Sequence, residues 1–97
     1  MAAYLMSVDP GDGYSDSEGM RRYAETVRGI VESFGGDYLV RHRETRTLEG
    51  DWAPGHIVLI QFPSMSRLRE FYESDAYRPW LELRQRAGRT SIVVTES

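Results

Sequence analysis

The fold is decided by residues 20–41, "MRRYAETVRGIVESFGGDYLVR", in which an amphipathic helix gives way to a strand. Apolar side chains recur at steps of three and four positions, the spacing of one helix face; they are Met20, Tyr23, Val27, Ile30, Val31 and Phe34. Upstream, Ser15 and Glu18 have the spacing of a capping box, which predicts the start of the helix. Gly35 and Gly36 end it, because glycine adopts the left-handed conformation beyond a helix at no steric cost.

The rest of the sequence extends this pattern to the order β-α-β-β-α-β. We predict strands at residues 4–8, 37–48, 56–62 and 90–95, and a turn-rich loop at 9–16, "DPGDGYSD". The second helical region begins near Ser64 or Ser66 and breaks before Pro79, because proline is tolerated only in the first turn of a helix. With right-handed crossovers, this order predicts an α+β fold, a four-stranded antiparallel sheet with helices on one face, as a single domain of residues 1–97.

Composition excludes several classes of function. The chain of 97 residues carries a net charge of −3, which disfavours nucleic acid, and it has no cysteine for a disulfide or thiolate site. Its apolar runs fall short of the ~20 residues of a membrane span. The first residues, "MAAYLMSVDPG", lack the basic start of a signal peptide. We therefore expect a cytoplasmic protein with neither a nucleic-acid nor a membrane partner.

Side-chain alternation gives the predicted sheet two apolar faces, of which the helices cover one. The other face would expose Leu5, Leu39, Ile57, Leu59 and Val93. Such a patch is too large for a comfortable monomer, so we expect a homodimer in which two sheets pack face to face. The same alternation places Arg41 and Gln61 in the space between the two sheets, provided that no bulge intervenes.

Four short motifs carry a resemblance to a known family. They are "GGDYLVR" (35–41), "LEGDW" (48–52) followed by Pro54, "FPS" (62–64), and the set Tyr72, Ser74 and Tyr77. Over residues 3–96 the chain resembles the domain of unknown function 1330 family, in the dimeric α+β-barrel group of ferredoxin-like folds. The resemblance implies a homodimeric barrel with a small-ligand pocket in each subunit. The wider fold group includes cofactor-independent monooxygenases, isomerases, lactone-processing enzymes and dehydratases, which is an analogy of fold alone.

The chain departs from the family pattern in a longer and more glycine-rich loop at Asp9 to Asp16, and at two further places. Family members usually carry glycines after the strand-two arginine, where this chain has His42 and Arg43. Many have a glutamate before the Phe-Pro-Ser run, where this chain has Gln61. An amide can form hydrogen bonds but cannot act as a base or pair with a cation.

Arg41 is the leading candidate for chemistry. Inside a largely apolar barrel, its guanidinium would clamp a carboxylate or enolate oxygen, because little water screens the charge there. The alternative is a structural ion pair with Glu44, Glu49 or a carboxylate of the partner, since an arginine is costly to bury unpaired. Gln61 would leave Arg41 available to an anion and would orient the ligand by hydrogen bonding.

His42 and His56 are the only histidines. Either could be a general base, because the unperturbed imidazole titrates close to neutral pH. The alternative is structural, with His56 simply starting a strand and His42 lying at an edge. Together with Glu44 they would form a three-ligand metal set, but the spacing matches no recognised metal motif. We therefore expect no metal and no cofactor.

Aromatic residues complete the set of candidates. Tyr23, Tyr72 and Tyr77 lie on helical stripes, either as core aromatics with solvated hydroxyls or as donors of an acidic hydroxyl to a ligand. Tyr72 and Tyr77 also coincide with family positions. Trp52 is either a lid over the cavity mouth or a hydrophobic plug against the partner subunit. The run "ELRQR", residues 82–86, predicts a solvated helix face.

The sequence thus favours a homodimeric barrel that binds an anionic or carbonyl-bearing metabolite. Its reaction class is open: a cofactor-free tailoring enzyme with the acid–base chemistry of an isomerase, cyclase, lyase or monooxygenase-like protein. Arg41 would bind the anion, Gln61 would orient it, and a tyrosine or His42 would move the proton. The alternative is a non-catalytic interaction or ligand-binding module. A cavity of ~300 Å³ or more beside Arg41 would favour ligand binding.

Overall fold

The structure, a computed structural model, describes residues 1–10 and 15–97. The element order is β1 (Ala3–Asp9), α1 (Ser17–Ser33), β2 (Asp37–Glu44), β3 (His56–Phe62), α2 (Met65–Tyr72), α3 (Arg78–Ala87) and β4 (Ser91–Glu96). The four strands form one antiparallel sheet in the order β2-β3-β1-β4. This confirms the predicted α+β fold and the break of the second helical region before Pro79. The loop predicted at 9–16 lies partly outside the described residues.

Both ends of α1 are set by local hydrogen bonding. The N-cap is Asp16, whose carboxylate accepts a hydrogen bond of 2.8 Å from the Gly19 amide. The capping box predicted for Ser15 is wrong, because the Ser15 hydroxyl donates instead to the Ala87 carbonyl at 3.0 Å. At the other end Gly35 has a φ of 85°, the left-handed conformation predicted there.

The core lies between the sheet and the helices, which pack on one face of the sheet as predicted. Its buried members are Ala3, Leu5, Val27, Val31, Ile60, Phe62, Leu68, Phe71 and Tyr77. Leu5 was predicted on the open face, and that prediction is wrong. Leu5 pairs with Ile60 in the ladder, and paired residues point to the same side of a sheet, so Leu5 lies under the helices.

The opposite face of the sheet has no helix against it. Its apolar residues include Met6, Val8, Ile57, Leu59 and Val93. Met6 pairs with both Leu59 and Val93, and Val8 pairs with Ile57, so all five point to the same side of the sheet. The exposure of Val93 is 52%. Among the described residues, no helix combines the length and apolarity that crossing a bilayer demands.

Strand β2 is irregular, and this irregularity determines which of its side chains lie on the helix side of the sheet. Its register against β3 shifts between Tyr38 and Val40 and again between Val40 and Arg43. Tyr38 pairs with Ile60 on the helix side, whereas Val40 pairs with Leu59 on the open side. The predicted strand to residue 48 is too long, because β2 ends at Glu44.

Candidate functional site

A cavity of about 690 Å³ lies between the sheet and the helices. This volume falls in the range of small-molecule sites and exceeds the ~300 Å³ needed to favour ligand binding. Its floor is apolar, formed by Leu5, Val27, Val31, Val58 and Ile60. Its polar lining comprises Ser7, Asp9, Arg21, Tyr23, Glu25, Arg28, Tyr38, Arg41, His42, Tyr72, Tyr77 and Arg84.

Arg84 is one functional candidate that sequence reasoning missed. It lies on α3 and is only 4% exposed, whereas the run 82–86 was predicted to be a solvated face. The signal was present in the spacing: Arg84 follows Tyr77 by seven residues and precedes Ala87 by three, so all three share a helix face. Both flanking residues are buried, and the arginine lies between them on the stripe that faces the core.

Within the described residues, the charge of Arg84 has no carboxylate to balance it. Among the described residues no acid lies within ion-pairing distance, and its buried Nε atom makes no hydrogen bond. Burial lowers the pKa of Arg84, but the neighbouring tyrosine hydroxyls, that of Tyr77 foremost, together more than offset this, so the pKa is raised overall. A buried cation partnered only by phenols is costly unless an anion joins it.

Two tyrosines lie beside this guanidinium. The Tyr23 and Tyr77 hydroxyls are 2.6 Å apart and hydrogen-bonded to each other. Burial, reinforced by the Tyr77 hydroxyl, raises the pKa of Tyr23 well above its ordinary value. Tyr72 also lines the cavity, with its ring centroid 5.8 Å from that of Tyr77. The raised pKa keeps the Tyr23 phenol protonated at neutral pH, and the hydroxyls of the three tyrosines are placed to hold a ligand oxygen.

Arg41 lines this cavity from the sheet edge, which corrects its predicted position between two sheets. The register shifts in β2 turn it toward the helices, and its guanidinium carbon lies 5.6 Å from the centroid of the Tyr38 ring. The described residues give it no ion pair. Gln61 lies on the opposite face, in register with Tyr4 and Asp37, so the predicted pairing of Arg41 and Gln61 on one face is wrong.

The cavity carries more positive than negative charge, although the whole chain has a net charge of −3. Arg21 pairs with Glu25 at 3.1 Å, and Arg28 pairs with Glu32 at 3.4 Å. Arg41 and Arg84 are left without a carboxylate partner in the part of the chain that the structure describes. The cavity is therefore an electropositive site in an acidic protein.

Both histidines gather at one end of the cavity, around a buried carboxylate. The Nε2 atom of His42 lies 2.8 Å from Oδ2 of Asp9, and Nδ1 of His56 lies 3.8 Å from Oδ1 of the same residue. The two imidazole rings stack with centroids 4.7 Å apart. Asp9 was not among the predicted site residues, and the turn-rich run that follows it gave no sign of its burial.

His42 reaches Asp9 because its backbone leaves the regular ladder. Its φ is 50°, in the left-handed region that few residues other than glycine adopt. A glycine is usual here in the family that the chain resembles, which is consistent with this backbone conformation. Immediately before β3, Gly55 has a φ of 94° and packs so closely on Asp9 and Pro10 that a Cβ there would clash with their backbone.

Trp52 takes no part in this site. Its side chain is 65% exposed, and it lines neither the large cavity nor the smaller recess formed by His42, Arg43, Glu44 and His56. The carbonyl of Trp52 accepts a hydrogen bond of 2.7 Å from the Thr47 hydroxyl. Its role as a lid over the cavity mouth or as a plug against the partner subunit stays a prediction.

Solved structures with this fold come from several bacteria. A protein of unknown function from Rhodopseudomonas palustris aligns with a TM-score of 0.73 at 20% identity, covering 99% of this chain and 82% of its own. A dimeric ferredoxin-like protein of unknown function from Jannaschia aligns with a TM-score of 0.76 at 13% identity, and both chains are fully covered. A cofactor-independent oxygenase from Streptomyces nogalater, SnoaB, gives 0.67 at 10% identity, covering 99% of this chain and 92% of its own. At these identities the likeness establishes the fold alone.

Comparison with curated proteins finds no match. The sequence profile of one family, described as "Domain of unknown function (DUF1330)", matches residues 13–97. The match includes all four motifs on which the resemblance was based, and it extends over most of the chain. The chain therefore belongs to the DUF1330 family of ferredoxin-like proteins.

Proposed function

We propose that this protein binds an anionic or carbonyl-bearing small metabolite in the cavity between its helices and sheet. One observation carries the proposal: Arg84 is 4% exposed, faces a cavity of about 690 Å³, and has no carboxylate partner among the described residues. A ligand carboxylate or enolate would supply that missing charge. Arg41 would hold a second oxygen nearer the rim.

We further propose cofactor-independent acid–base chemistry at this site. Asp9 would accept the Nε2 proton of His42, which leaves Nδ1 of the same ring free to take a proton from the ligand. The phenols of Tyr72 and Tyr77 would donate hydrogen bonds to the oxygen on which charge develops, beside Arg84. The reaction class stays open among isomerase, cyclase, lyase and monooxygenase-like chemistry. SnoaB, a cofactor-independent oxygenase, shares the fold, and this is consistent with the proposal.

We also propose that two copies pack through the open face of the sheet. Three strands contribute apolar side chains to this face, and the neighbour from Jannaschia is dimeric. In such a dimer Gln61 would contact the partner subunit rather than the ligand. A non-catalytic ligand-binding module remains the alternative, supported by the same cavity but requiring no proton transfer.

The test measures binding of a panel of small carboxylates and enolisable carbonyl compounds by calorimetry. Arg84→Met keeps much of the side-chain volume and removes the charge, so it should weaken anion binding by ~1.5–3 kcal/mol, the contribution of a charge-assisted hydrogen bond. Arg86→Met on the same helix is the matched control, because Arg86 is exposed. An Arg84→Met protein that binds the same carboxylates as tightly as the wild type would refute the proposal.

A further inference from the structure

We propose that Asp9, His42 and His56 form a binding site for a divalent transition-metal ion of the zinc class. The three residues come from three adjacent strands, β1, β2 and β3, at one end of the sheet. One ligand atom of each lies within 4.8 Å of the others. This site goes beyond the proposed ligand binding at Arg84 and does not depend on it. Metal binding and the proposed proton transfer by His42 exclude each other, because both use the contact between His42 and Asp9.

The three ligand atoms lie within 4.8 Å of one another, so they would have to draw closer together to form a tetrahedral site. Ligand atoms around a zinc ion lie about 3.4 Å apart when each bond is about 2.1 Å long. The two carboxylate–imidazole separations here are 2.8 Å to His42 and 3.8 Å to His56, on either side of that value. Each imidazole faces a different oxygen of the Asp9 carboxylate. A metal ion would draw the more distant His56 inward and replace the proton between His42 and Asp9.

The Nδ1 atom of His56 gives independent support. It is buried, and it makes no hydrogen bond within the described part of the chain. Its separation of 3.8 Å from the Asp9 carboxylate is too long for a hydrogen bond. A buried polar nitrogen without a partner is costly, and coordination to a metal ion would satisfy it.

The backbone of His42 gives a second independent observation. A non-glycine residue at a φ of 50° is strained, and such strain persists where the surroundings impose it and concentrates at functional sites. Here the conformation turns the imidazole out of the strand ladder and toward Asp9. Both histidines of the chain therefore converge on one carboxylate that is 8% exposed at its side chain.

The ligand types determine which metal fits. Two imidazoles and one carboxylate suit zinc and neighbouring transition metals, whereas magnesium and calcium prefer oxygen ligands alone. Three protein ligands leave a coordination position open, as in catalytic rather than structural zinc sites. Asp9 and His42 also line the large cavity, so the open position would lie at its rim.

Untagged protein, stripped with a chelator and dialysed, is titrated with Zn²⁺ by calorimetry, with Mg²⁺ in parallel. We expect one zinc ion per chain and no binding of magnesium. His42→Gln, His56→Gln and Asp9→Asn should each lower zinc affinity at least about tenfold, since loss even of a group supporting a ligand costs about 10–100-fold. Asp51→Asn is the matched control, since Asp51 is an exposed carboxylate that lines neither the cavity nor the recess, and this variant should bind zinc like the wild type.

A spectroscopic measurement keeps the test decisive if Asp9→Asn fails to fold. Because the chain has only two histidines, ¹⁵N-labelled imidazole gives a simple NMR spectrum. Zinc should shift the ring nitrogens of both histidines together at one equivalent. The proposal is overturned by any of three results: no zinc binding, binding that leaves either ring unperturbed, or an equal loss of affinity in Asp51→Asn.

Discussion

The left-handed backbone of His42 predicts an inversion of the usual stability order of glycine and alanine. At an ordinary strand position, glycine destabilises by about 0.5–1 kcal/mol relative to alanine because it is more flexible when unfolded. At a φ of 50°, however, a side chain with a Cβ costs roughly 1–2 kcal/mol that glycine avoids. The difference leaves His42→Gly more stable than His42→Ala by about 1 kcal/mol.

The comparison isolates the backbone, because both variants lose the hydrogen bond to Asp9 and the stacking on His56 equally. Urea denaturation of both proteins, with a chelator present, gives the two free energies of unfolding. His56→Gly and His56→Ala form the matched pair, since His56 lies in a regular part of β3 and should show the usual order. If His42→Ala is as stable as His42→Gly while the His56 pair behaves normally, the strained conformation does not exist in solution.

Three further predictions concern the dimer, the cavity and the tyrosines. Light scattering should show a dimer, and Leu59→Lys should dissociate or unfold it because the new charge enters a dry interface. Gln85→Lys, at an exposed helix position, is the control and should leave the dimer intact. A soluble Leu59→Lys dimer would contradict the prediction. Arg41→Met should weaken the binding of a carboxylate by ~1.5–3 kcal/mol. Gln61→Glu should leave this binding unchanged, because the sheet separates residue 61 from the cavity. Calorimetry on both variants checks the prediction, and a large effect of Gln61→Glu would show that the two faces of the sheet are assigned the wrong way round. Burial raises the pKa of Tyr38 to about 12, above the value near 10 of an unfolded tyrosine. The contribution of the protonated Tyr38 to stability is therefore complete below pH ~10 and is lost as the pH rises toward 12. Urea denaturation across that range should show a smaller decline in Tyr38→Phe than in the wild type, and equal declines would exclude this role of Tyr38.

The elements and their order could be predicted from the sequence because they depend on local patterns. The apolar stripe of α1, the glycine pair after it and the continuous run of β3 each determine a conformation from neighbouring residues alone. The motifs around Arg41, Trp52 and the Phe-Pro-Ser run were also sufficient to predict the family. Periodicity places a residue on a face only as long as the ladder is regular, and in β3 and β4 it was.

The site was decided by tertiary structure. A shift of register moves each following side chain to the other face of a sheet, and nothing in "DYLVRHRE" marks where β2 shifts. Arg41 therefore lies on the helix side, apart from Gln61. The spacing of Arg84 from Tyr77 and Ala87 indicates the helix face on which it lies. Its place beside an open cavity depends on β1, β3 and α1, which line that cavity with it.

The cluster of Asp9, His42 and His56 has the same origin. Its members are separated by 33 and 14 positions along the chain, and no local pattern links them. Antiparallel pairing of β1 with β3 and of β3 with β2 brings the three strand ends together. Sequence by itself determined which conformations the segments adopt, since those depend on near neighbours. Only the folded sheet determined which polar groups meet, because that depends on register.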